Sequence, residues 1–83
     1  MPNTTPNLTT LRRGFMFQES GSKNVLFYAN GTGGEIGQLV GTVRHIQKAG
    51  PGFETLVVNL TNGKPLRCYR YASPTNSYAI CIA

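Results

Sequence analysis

The sequence contains no aspartate and no tryptophan. Its acids are Glu19, Glu35 and Glu54, far apart along the chain. No carboxylate pair is available for glycosidase-type chemistry, and no acidic cluster for Mg²⁺. There is one histidine, His45. General acid–base work needs a partner that orients or perturbs the imidazole, and only Glu54, across a turn, and the cysteines stand near enough in sequence. A lone histidine in a strand reads as structural or exposed. The two cysteines, Cys68 and Cys81, match no zinc spacing. No apolar run approaches the roughly 20 residues of a transmembrane helix. The opening MPNTTPNLTT has neither the basic start nor the apolar block of a secretory signal. These absences predict a non-catalytic, cytoplasmic protein with no metal, cofactor or membrane contact. The four N-x-Ser/Thr sequons, at Asn3, Asn7, Asn30 and Asn59, are then chance in a chain rich in Asn and Thr.

What is present is positive charge. Eight Lys and Arg against three Glu give a net +5 and a pI near 9.7. That balance predicts an anionic partner, either nucleic acid or an acidic or phosphorylated molecule; its bland alternative is solubility. Eighty-three residues make one domain. So short a chain buries only about 60–65% of its unfolded surface, so a homo-oligomer would complete a thin core. Ten glycines, five prolines and only 13% charged residues suit an all-β chain with many turns better than a helical bundle.

Residues 1–11 read as a flexible arm, leaving 12–83 as a single small β domain. Apolar alternation and β-branched or aromatic residues predict strands at 14–18, 24–29, 38–48, 53–60, 66–71 and 78–82. The 38–48 segment also fits a helical stripe. Gly41, Thr42 and the β-branched Val40, Val43 and Ile46 favour a strand, and no capping box opens a helix there. Gly41 within a long strand predicts the bend at which a sheet curls into a barrel. The expected fold is an all-β antiparallel meander of five or six strands, curled into a barrel or a strongly bent sheet.

Two turns predict register. Asn62-Gly63 fits a two-residue type I′ hairpin loop, which would set Leu56 opposite Tyr69 and Val58 opposite Arg67. A turn centred on Pro74-Thr75 would set Cys68 opposite Cys81, within reach of a disulfide in an oxidising compartment. One face then collects Leu56, Val58, Leu60, Tyr69, Tyr71, Tyr78, Ile80 and Ile82, and is the expected core. The other carries Thr55, Val57, Asn59, Leu66, Cys68, Arg70, Ala79 and Cys81. A slip of one residue would exchange the faces.

The most suggestive segment is Leu66-Arg67-Cys68-Tyr69-Arg70-Tyr71, which interleaves cations with aromatic rings. Such a strand can hold phosphates and stack bases. The expected function is binding of single-stranded nucleic acid. Arg44, Lys48, Arg67 and Arg70 would contact phosphates, and Tyr28, Tyr69 and Phe53 would stack. One alternative is a protein–protein interaction module, acting as an inhibitor or assembly subunit. Another is an oligomeric binder of small phosphorylated ligands, with Gly31, Thr32, Gly33 and Gly34 as the cradle. That loop lacks the strand-to-helix context and the Lys-Ser/Thr pair of nucleotide signatures.

Leu39-Val40-Gly41-Thr42-Val43, the Gly-Pro-Gly turn and residues 53–60 together resemble the opening hairpin of OB-type or SH3-like small barrels over about 25 residues. That resemblance implies a curled sheet whose face binds single-stranded nucleic acid or oligosaccharide.

Overall fold

The alternating segments close on themselves. In the computed structural model, which describes residues 5–30, 35–71 and 79–83, six antiparallel strands form a closed barrel. The elements are α1 (Leu8–Arg13), β1 (Phe15–Gln18), β2 (Asn24–Tyr28), β3 (Gln38–Gly50), β4 (Phe53–Leu60), β5 (Pro65–Tyr71) and β6 (Ala79–Ile82). Each strand pairs with its sequence neighbours, and β1 pairs with β6 to close the ring. This is the expected all-β meander. Its likeness to OB-type barrels lies in curvature, since the OB strand order is a Greek key. Closure leaves no strand edge among the six.

The core is small and aliphatic. Val25, Val40 and Val58 are fully buried beside Cys68, with Leu11, Met16, Phe27, Val43, Leu56 and Ile80 completing the cluster. β3 is a strand throughout, as the β-branched residues predict. It is also where the sheet turns. Val25 faces Gly41 and Leu26 faces Leu39, so Val40 is an extra residue bulged out of the β2 ladder. The Val40 carbonyl is satisfied instead by the Thr61 N–H at 2.9 Å. Gly41 is required there, because a Cβ would lie 2.6 Å from the Asn59 carbonyl oxygen. A second bulge, at Arg44, separates the Val43–Val58 pair from His45–Val57. Bulges of this kind add twist and bend a strand, so one 13-residue strand serves both walls.

The β4–β5 register departs from expectation by one residue. Leu56 faces Cys68 and Phe53 faces Tyr71. A type I′ loop needs positive φ at both central residues, and among the described residues only glycines adopt it. Asn62 therefore cannot take that place. The chain uses a three-residue loop, Thr61-Asn62-Gly63. Leu60 N–H bonds the Lys64 carbonyl at 3.0 Å, Gly63 N–H bonds Leu60 at 2.8 Å, and Gly63 has φ 88°. The Asn62 side chain accepts from the Lys64 N–H at 2.9 Å. One added loop residue turns β5 over. Leu56, Val58 and Ile80 are buried as predicted, and Leu60 and Ile82 pack against them. Tyr69 and Tyr71 are outside, and Cys68 takes their place within.

The β5–β6 register is likewise offset, with Tyr69 facing Cys81 and Cys68 facing Ile82. Cys68 therefore points inward and Cys81 outward, and both are free thiols. The expected turn at Pro74-Thr75 and the predicted core residue Tyr78 lie outside the described residues.

Of the arm expected at residues 1–11, Leu8 to Leu11 belong instead to α1. Asn7 caps α1, its side-chain oxygen accepting from Thr10 N–H at 2.8 Å. Arg12 and Arg13 lie in the last turn, where cations suit the helix dipole. Six residues do not hold a helix alone; Leu11, 2% exposed in the core, anchors it. Leu11→Ala is expected to lower stability by about 2–4 kcal/mol, whereas Leu8→Ala, at an exposed position, changes it by less than about 0.5 kcal/mol. Denaturant unfolding distinguishes this from a flexible arm, for which both variants would be silent.

Candidate functional site

Because β5 is turned over, its outward face reads Arg67, Tyr69, Tyr71. These residues sit opposite Val57, Thr55 and Phe53 of β4. His45 and Gln47 of β3 continue two of those rows, facing Val57 and Thr55. The outer wall of β3–β5 thus grades along the strands. It runs from His45–Val57–Arg67, through Gln47–Thr55–Tyr69, to Phe53–Tyr71. Rows on one face lie about 6.8 Å apart.

The three rings form one cluster. Phe53 and Tyr69 meet edge to face with centroids 5.8 Å apart, Tyr69 and Tyr71 at 5.7 Å, and Phe53 and Tyr71 at 5.9 Å with planes tilted by 33°. Offset and edge contacts of this kind hold rings in place. Tyr71 is nevertheless 62% exposed, so the cluster presents aromatic surface to solvent. Beside the Cys81 thiol and the Tyr71 hydroxyl, the Tyr69 phenol is held above its usual pKa. It remains a protonated donor at neutral pH. At the basic end, His45, Gln47, Thr55, Val57, Arg67 and Ala83 line a cleft of about 410 Å³.

The expected cations separate into two groups. Arg67 lies on the aromatic face itself, exposed. Arg44, at the β3 bulge, and Lys48, near the β3–β4 tip, are also exposed. Arg70 is placed differently from expectation. The register that brings the tyrosines out draws Arg70 into the mouth of the barrel. There it donates to Gln18 Oε1 at 2.5 Å and pairs with Glu54 at 3.5 Å. Its side chain is only 12% exposed. Bridging β1, β4 and β5, it closes one end of the barrel and neutralises the carboxylate nearest the rings. Lys48 faces Glu54 from the other side.

Of the expected stacking residues, Phe53 and Tyr69 are together. Tyr28 is on the β2 wall, in edge contact with Phe17 at 5.8 Å, and is not part of the cluster. Tyr71 and His45 were absent from the expected set and belong to the wall. The Thr61-Asn62-Gly63 loop held the signal for Tyr71. The Gly31–Gly34 segment lies outside the described residues. On its flanks, the Glu35 carboxylate accepts from the Ala29 and Asn30 N–H groups at 2.5 and 3.0 Å.

Among the described residues no three His, Cys, Asp or Glu side chains gather as a metal would require, and no helix is long and apolar enough to cross a membrane. No protein family matches the chain, and neither does any curated protein or solved structure.

Two outcomes are expected from this geometry. Arg70→Ala leaves Glu54 without its partner and lowers stability by about 1–3 kcal/mol, read as a fall in unfolding midpoint. Cys68 is buried, and burial, with the nearby Cys81, pushes its thiol up to about 12. Because the thiolate is the reactive form, raising the pKa suppresses labelling at neutral pH. In the folded protein a thiol reagent should modify Cys81 first, with Cys68 following only on unfolding. Equal labelling rates by mass spectrometry would contradict the inward placement of Cys68.

Proposed function

We propose that this protein is a non-catalytic binder of single-stranded nucleic acid, held on the outer wall of β3–β5. The observation that carries the reading is the solvent-facing cluster of Phe53, Tyr69 and Tyr71 on the same strand face as Arg67. Aromatic side chains in water offer unpaired bases a stacking platform worth about 1–3 kcal/mol per base, and every base has a face to stack. Bases within a duplex are already stacked and out of reach, so the platform suits single strands. Arg67 and, more peripherally, Arg44 supply the phosphate contacts, while Lys48 stands beside Glu54 on the other face of the sheet at the β3–β4 tip. Arg70 contributes indirectly by cancelling Glu54, so no uncompensated carboxylate faces the incoming backbone. Because stacking and phosphate contacts read no base edge, binding through them is expected to depend weakly on sequence and strongly on salt.

Fluorescence anisotropy of labelled single-stranded DNA and RNA at about 50 and 200 mM salt tests the reading, since phosphate-dominated affinity falls steeply over that range. Tyr71→Ala should weaken binding roughly 5- to 150-fold without loss of the fold, because the ring is mostly exposed. Arg67→Ala should reduce the slope of log affinity against log salt by about one. Full affinity in Tyr71→Ala, or no binding at low salt, would overturn the proposal.

A further inference from the structure

The second bulge of β3 changes which side chains the strand shows to solvent. Val43 is buried and pairs with Val58. Strict alternation from Val43 would turn Arg44 outward and His45 inward. Arg44 is the extra residue, so His45 takes the outward place opposite Val57, and both side chains are exposed. Bulges re-aim side chains in this way. Arg67 of β5 completes the row from the far side of Val57. His45 and Arg67 line one cleft of about 410 Å³, with Gln47, Thr55 and Ala83 around it. Two strand spacings put their backbones about 10 Å apart, so both side chains can close on a group seated over Val57.

We infer that this cleft is a phosphate seat, with His45 and Arg67 as its two ligands, and that its affinity rises as His45 takes up a proton. The seat rests on the nucleic-acid reading and deepens it. It lies one row, about 6.8 Å, from Tyr69, where the backbone of a strand stacked on the rings would pass. A guanidinium offers a planar fork of N–H donors, and an imidazolium offers two more. Together they match the oxygens of a phosphodiester with charge-assisted hydrogen bonds. A neutral imidazole offers one donor and no charge, so the protonated form binds better. The added affinity is therefore present at low pH and is lost as pH rises through the imidazole's titration, between about pH 8 and 5. The surroundings of His45 are named readily. Arg44 stands beside it on β3, Val57 and Thr55 of β4 are uncharged, and Arg67 is the charged group on β5. Among the described residues the one ion pair is Arg70–Glu54, so no carboxylate, that of Ala83 included, is paired with His45 or Arg67. His45 is the single histidine of the chain, and carboxylates titrate below this window and lysines above it.

The test is fluorescence anisotropy of a labelled oligothymidylate without a terminal phosphate, at about pH 5.5 and 7.5 and at about 50 and 200 mM salt. Wild type should bind about 3- to 10-fold more tightly at the lower pH. Its slope of log affinity against log salt should also steepen by about one. His45→Gln, at an exposed position, should keep its circular dichroism and lose both differences. Wild-type binding that ignores pH, or a pH difference that survives in His45→Gln, overturns the inference and leaves the aromatic platform standing. If the oligonucleotide binds at neither pH, the platform reading fails and inorganic phosphate decides the seat. Titrated into the protein at about pH 5.5, it should shift the His45 imidazole resonances in wild type and lose most of that effect in Arg67→Ala. Unmoved resonances, or equal shifts in the variant, overturn the seat as well.

Discussion

The structure depends on one loop. Thr61-Asn62-Gly63 joins β4 to β5, and the positive φ of Gly63 lets it close with three residues. In a strand the side chains alternate, so loop length sets which half of β5 enters the core. With three residues, Cys68 and Leu66 fill the interior beside Leu56 and Val58. Arg67, Tyr69 and Tyr71 remain outside. Two loop residues would bury the tyrosines and leave Arg70 alone on the surface. The composition of the barrel core and the chemistry of its outer wall are therefore consequences of the same backbone geometry.

Curvature is supplied by β3. Its bulge at Val40 and the close packing of Gly41 on Asn59 let the strand leave β2 and follow β4 without losing backbone hydrogen bonds. The interior that results is narrow, which is why its fully buried residues are valines and one cysteine. A core so small needs its ends closed. Leu11 of α1 supplies an apolar anchor beside β1, and the Gln18–Arg70–Glu54 contacts tie the far ends of β1, β4 and β5 together. Arg70 is a barrel residue first, and its charge is spent internally. Arg67, three residues earlier, is free to act outside.

The two outer walls differ for the same reason. Alternation leaves each strand with one face to solvent. On β4–β5 that face carries rings beside a cation, whereas on β1, β2 and the start of β3 it carries Phe15, Phe17, Leu26 and Leu39. Closure of the barrel sets these faces on opposite sides.

Strand content was legible from residue type alone. The β-branched and aromatic segments, the Gly-Pro-Gly and Asn-Gly turns and the break at Gly41 all lie where the barrel uses them. Leu56, Val58 and Ile80 were identifiable as core from alternation, and Phe53 and Arg67 as surface candidates from their chemistry, while the expected register put Tyr69 inside. Other features were not legible. A six-residue helix with one buried leucine shows no period, so α1 looked like an arm. The Asn-Gly pair fits two loops differing by one residue, and both satisfy the local hydrogen bonds. The choice between them is seen only in the assembled barrel, where Leu56 meets Cys68 and Leu66 packs on the core. By itself the sequence determined that this chain is a basic, turn-rich β protein. Tertiary closure decided which side of β5 faces water, and through it which arginine is spent on the fold and which remains on the surface.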